Sequence, residues 1–165
     1  MKFNVNQADL QKSLNYCQGV IEKRSTLPIL SNVLVDASNS NLTITATDLD
    51  LIFIHRIKNV EILQEGKTTI SSSIMYDIVR KFNSGKIINF SDEGKNKIHL
   101  ESENSAFNLN CIDPSEFPVT DENFNQNEFI IHSKHLLKLL NKCKFSVSND
   151  ETRHYLSGIF FHQTQ

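Results

Sequence analysis

Nothing in these 165 residues approaches the roughly 20 consecutive apolar positions of a membrane-crossing helix. The opening MKFNVNQADL has no apolar core of the kind a secretory signal needs, so a soluble chain acting in the cytoplasm, away from membranes, is expected. Cysteine is scarce: Cys17, Cys111 and Cys143 are far apart and odd in number, which excludes a disulfide framework and fits reduced, mostly buried thiols. The six histidines have no H-E-x-x-H or C-x-x-C companions, and Gly85-Lys86 lacks the upstream glycine and following Ser/Thr of a phosphate-binding loop. No metal, cofactor or catalytic residue is therefore expected, and a non-enzymatic role is. Asp48 and Asp50 pair two carboxylates, but the local pattern predicts a turn rather than an acid–base site. A net charge of −2 excludes coating nucleic acid by bulk charge, though not positive charge gathered in one place.

What is present is periodic. Phe3 and Val5 alternate with polar neighbours, and Leu10, Leu14, Cys17 and Ile21 then recur at helical spacing, predicting a short strand feeding an amphipathic helix over about 7–23. SNVLVDA, LTITAT and LIFIHRI follow as strands, with turns at Ser38 to Asn41 and around Asp48. Residues 58–66 read as a connection. TTIS, a helix from about 72 to 82, KIINFS, KIHLES and AFNLNC then repeat the plan. The second helix is expected to bury Ile74, Met75, Ile78 and Phe82 and to turn Tyr76, Asp77 and Arg80 outward. Leu10, Leu14, Cys17, Leu34, Ile44, Phe53, Phe90 and Leu100 complete the expected core.

The two halves superimpose in sequence. Leu42, Ile44, Leu51 and Phe53 fall on Ile98, Leu100, Phe107 and Leu109 at a constant offset, which makes one βαβββ motif used twice. After Cys111 the composition changes. Residues 113–128 hold two prolines and five acidic residues with no basic one, and read as a linker. From Phe129 the chain falls without gaps on its own start: Leu10, Lys12, Leu14, Asn15 and Cys17 meet the same residue types at Leu136, Lys138, Leu140, Asn141 and Cys143. The layout expected is a complete domain over 1–112, an acidic linker over 113–128 and an incomplete second domain over 129–165.

The third helix, about 133–144, carries Lys134, Lys138, Lys142 and Lys144 with no carboxylate. Basic residues stand opposite the core stripe of each of the three helices, which points to a shared basic surface and thus to an anionic partner. No recognition-helix signature, Arg/Asn base-reading pair or aromatic platform for single strands accompanies it.

MKFNVNQADLQKSL, RSTLPILSNVLV, LTITATDLDL, FNLNCIDPSEFP and RHYLSGIFF together resemble the bacterial sliding clamp family, the beta subunit of DNA polymerase III. The resemblance implies an α+β DNA-clamp (processivity) fold of duplicated βαβββ units, helices on one side and antiparallel sheets on the other. It also implies a homodimeric ring that encircles duplex DNA regardless of sequence and tethers DNA polymerase, with the clamp loader as a further partner. On this basis Lys12, Arg24, Arg80, Lys81, Lys138 and Lys142 are candidate DNA contacts. Phe107 and Leu109 fall on the edge strand where family protomers meet, and Arg153 and Leu156 on the rim of the pocket that takes partner peptides.

Three features depart from the family. The chain stops at Gln165, so a truncated chain that closes no ring is expected. Asn149, Asp150 and Glu151 make acidic a loop that the family presents to DNA, and Asn104 and Ala106 stand where the family often has basic residues. The rival reading is a small α+β ligand-binding or interaction domain with no DNA role.

The stretch from Arg24 to Val35 leaves a helix and enters a strand with no glycine. A proline-containing extended crossing over the sheet is the expected solution, with Pro28 at the strand start.

Overall fold

A computed structural model describes residues 1–21, 27–94, 96–118, 130–150 and 152–162. The chain divides into two compact units, Met1–Thr120 and Asp121–Gln165.

The first unit contains, among its described residues, β1 (Lys2–Asn6), α1 (Gln7–Cys17), β2 (Asn32–Ser38), β3 (Asn41–Thr47), β4 (Ile52–Ile57), β5 (Val60–Gln64), β6 (Gly66–Ser71), α2 (Ser72–Val79), β7 (Ile87–Gly94), β8 (Lys97–Ser102) and β9 (Ser105–Ile112). The strands form one sheet in the order β4-β3-β2-β6-β9-β8-β7-β1-β5. All the pairings are antiparallel. Each half of the duplication lends its first strand to the other: β6 pairs with β2, and β1 pairs with β7. The halves are interlocked, so neither has a full sheet without its twin.

The two helices pack side by side and antiparallel. Gln7, at the start of α1, donates from Nε2 to the Val79 carbonyl at the end of α2 (2.8 Å), and Gln18 donates to Ser72 Oγ at its start (2.8 Å). Beneath them a single core joins Phe3, Leu10, Leu14, Cys17, Ile44, Met75, Val79, Phe90 and Leu100. The turns follow their residues. Asn39 and Ser40 both take positive φ (50° and 59°), the geometry of a tight two-residue hairpin. Asp48 Oδ1 accepts the amides of Asp50 (3.1 Å) and Leu51 (2.6 Å), the turn-forming role expected of it.

Several expectations are corrected. Helix α1 ends at Cys17 rather than near 23. Helix α2 buries Ser72, Met75 and Val79, leaving Ile74 exposed and Ile78, Tyr76 and Phe82 only half-buried. In SSIMYDIV the apolar residues go most of the way round two turns, so periodicity could not fix the phase, whereas the position of Ser72 directly after β6 does. In β2 it is Val33, Val35 and Ala37 that face the core, while Leu34 is half-buried on the opposite face; Phe53 is also half-buried, against the core's margin. Residues 58–66 are not a bare connection: Val60–Gln64 pairs with β1. Leu27 is extended, as a residue before proline should be, but Pro28–Ser31 then turns as a 3-10 segment with Pro28 in its first turn. Over its described residues, from Leu27 onward, the crossing enters β2 through a compact turn rather than an extended strand start.

In the second unit, α3 (Ser133–Cys143) forms as expected, capped by His132, whose Nδ1 accepts the Lys134 amide (3.3 Å). No strand forms among the described residues of this unit. A strand exists only through the ladder it makes with a neighbour, and no neighbouring strand is described in this unit.

Candidate nucleic-acid interface

The surface of the first unit's helices begins at Asn6. Its Oδ1 accepts the Ala8 amide (2.9 Å), capping α1 and fixing its rotation, while Leu10, Leu14 and Cys17 sink into the core. Ala8, Lys12, Asn15, Tyr16 and Gly19 are left exposed. On α2 and its exit the exposed set is Ser73, Ile74, Asp77, Arg80 and Lys81. A hydrogen bond from Tyr76 Oη to Asn15 Oδ1 (3.3 Å) ties the two helices at their surface. Lys12, Arg80 and Lys81 thus belong to one helical layer.

The cations are not equivalent. Arg80 Nη2 lies 3.1 Å from Asp77 Oδ1, and its guanidinium sits 5.8 Å from the centre of the Tyr76 ring. An exposed pair of this kind holds the side chain in place with little net energy and remains open to a competing anion. Lys12 borders a small concavity of about 130 Å³ whose lining includes Asp9, His55, Arg56 and Lys58. His55 is fixed there by a 2.6 Å hydrogen bond between its Nδ1 and Ser13 Oγ, and its ring stacks near Phe53. Sequence reading missed Lys58, because it falls just after the alternating run IFIHRI. The one signal for it was a cation two positions beyond Arg56.

In the second unit Lys138 and Lys142 are exposed on α3, and so are Lys134 and Lys144. Arg24 lies outside the described residues. The remaining expected positions occupy two separate places. Phe107 (37% exposed) and half-buried Leu109 lie on β9, where the Phe107 ring meets Phe82 edge-on at 5.8 Å. Strand β9 pairs with β8 from Ser105 to Asn110, whereas β6 reaches it only at Cys111 and Ile112. Its outer edge over Ser105–Asn110 has no ladder among the described residues. Arg153 and Leu156 frame a short 3-10 turn; Arg153 Nε is 3.6 Å from Asp150 Oδ2, and the Ser148 amide donates to the Leu156 carbonyl (2.9 Å). Hydrogen bonds from the Thr152 side chain and amide hold the Asp150 carboxyl below its usual range, so this loop stays anionic.

No group of three or more His, Cys, Asp or Glu side chains is placed to hold a metal among the described residues, and no helix there is long and apolar enough to cross a membrane. Burial pushes the Cys17 thiol up to about 12, which suits a structural rather than a reactive cysteine.

The arrangement has known counterparts. The profile of the DNA polymerase III beta subunit N-terminal domain matches residues 1–121. The beta sliding clamp of Caulobacter vibrioides is 34% identical over 163 residues, and that of Escherichia coli K12 is 31% identical over 161. Each alignment takes in 98% of this chain but 44% of the relative, so the chain spans less than half the length of the curated relatives it matches. Among solved structures, the Caulobacter crescentus beta sliding clamp superimposes with a TM-score of 0.93 at 34% identity, over 98% of this chain and 43% of that one. A sliding clamp from Bartonella birtlesii, bound to griselimycin, gives 0.93 at 36% identity over the same shares. The fold is that of the sliding clamps, and the chain belongs to the DNA polymerase III beta subunit family.

Proposed function

We propose that this chain is a module of a DNA sliding clamp, a non-catalytic processivity factor acting in the cytoplasm, and that its helices meet duplex DNA through the phosphate backbone without reading sequence. Residues 1–112 are one clamp domain, 113–128 the acidic linker and 129–165 the opening of a second. Lys12, Arg80 and Lys81 on the α1/α2 layer, Lys138 and Lys142 on α3, and Arg24 supply the positive charge. The β9 edge with Phe107 and Leu109 corresponds to the surface that meets a second protomer in the homodimeric ring of the full-length family. Arg153 and Leu156 belong to the rim that receives peptides of the polymerase and the clamp loader.

The observation that supports this reading best is the division of charge and shape on α1 and α2. Their inner faces pack on the core, while Lys12 on α1 and Arg80 and Lys81 at the exit of α2 are exposed among Ala8, Asn15, Tyr16, Ser73, Ile74 and Asp77. Phosphate contacts of this kind are sequence-blind, so a ring carrying them can move along the duplex while staying linked to it.

The test is fluorescence anisotropy with two duplexes of equal length and unrelated sequence. Equal affinities are expected, and Lys12→Glu combined with Lys81→Glu should weaken both alike. A preference for one duplex of more than about tenfold, or indifference to the double charge reversal, would refute the reading.

A further inference from the structure

A groove of about 780 Å³ opens on the first unit between the segment leading into β2, the β3–β4 turn and the chain leaving β9, and none of its described lining residues is among those assigned to DNA. Its apolar wall is made by Leu27, Pro28, Leu49 and Ile112. Leu27 is 50% exposed and Leu49 54% exposed, side chains of a type that folding normally covers. Leu49 is also held at φ 83°, a conformation that glycine adopts freely and a residue with a side chain rarely does. The turn imposes it: Thr47 Oγ1 accepts the Leu49 amide at 3.0 Å, and Asp48 Oδ1 accepts the next two amides. Among the described lining residues the charged ones are Asp113 and Glu116, both carboxylates and both exposed. The Asp113 carboxyl is held below its usual range by the Ser115 hydroxyl and amide.

The ligand chemistry follows from the walls. An apolar surface takes a large aliphatic or aromatic side chain, and a rim of fixed negative charge takes cations beside it and repels phosphate. We propose that this groove docks a short peptide segment of a partner protein in which leucine or phenylalanine is flanked by lysine or arginine. Duplex DNA does not fit it, and the groove shares no residue with the Arg153 and Leu156 rim. The proposal is independent of the DNA reading, so either can fail alone.

The test uses the whole chain and two fluorescein-labelled, end-blocked peptides, Arg-Leu-Phe-Lys and Glu-Leu-Phe-Glu, followed by anisotropy and by amide chemical-shift mapping. The basic peptide should bind saturably, shift the Leu49 and Ile112 amides, and exceed the acidic peptide by about tenfold or more. Leu49→Gly removes the side chain while suiting the positive φ, so the turn survives and the affinity should fall about tenfold. Glu116→Lys should erase the preference between the two peptides. Absence of saturable binding, equal affinity of the wild-type chain for both peptides, shifts confined to other surfaces, or unchanged affinity in Leu49→Gly would each overturn the proposal.

Discussion

Helices α1 and α3 carry the same apolar stripe and opposite fates. Leu10, Leu14 and Cys17 are fully buried, while their counterparts on α3 are not: Leu136 is half-buried, Leu140 is 38% exposed and Cys143 is exposed. The helix itself forms in both settings because its caps and spacing are local. Burial differs because α1 lies on a sheet and against α2, whereas the described residues of the second unit provide neither. An amphipathic pattern thus specifies a helix and a face, and only the rest of the fold decides whether the face is covered.

The largest test of this contrast is truncation of equivalent leucines. Leu14→Ala should cost about 2–5 kcal/mol in urea unfolding, whereas Leu140→Ala should cost well under about 1. Equal losses would show that the α3 stripe is packed after all. The thiols give a second contrast. Cys143 should react with a disulfide reagent at the rate of an exposed thiol, and Cys17 only on unfolding, because it is buried and its thiolate is disfavoured. The Cys17 thiol titrates near 9.0 when unfolded and about 12 when folded, so above pH 9 the unfolded state binds fewer protons. Stability from this group is then complete below pH 9 and declines as pH rises towards 12. A rise in stability over that window would contradict the burial of Cys17. The smallest expected effect is Asp77→Ala. Removing an exposed ion pair should change stability by less than about 0.5 kcal/mol, yet it frees Arg80 and should tighten DNA binding slightly.

The duplicated plan could be read from sequence because pairs such as Leu42 with Ile98 and Ile44 with Leu100 share the same burial as well as the same pattern. The Asp48 turn was legible for a local reason, since its side chain makes the turn by itself. What could not be read depends on distant partners. The exchange of β1 and β6 between halves leaves no trace in either strand, and β5 exists because β1 offers an edge. The phase of α2 was lost because its apolar residues cover more than one face. Of the candidate site, the outward placement of Lys12 and Arg80 followed from helix geometry. The ion pair that holds Arg80, and Lys58 beside Lys12, depend on contacts that spacing does not encode.

The central claim is that the helix layer holds DNA by phosphate charge alone, and its most direct test is the salt dependence of duplex binding. Affinity should fall linearly on a log–log plot between about 50 and 200 mM salt, and Lys12→Glu should make the slope shallower by about 1. Binding that does not change with salt, or a slope unaltered by Lys12→Glu, would contradict it.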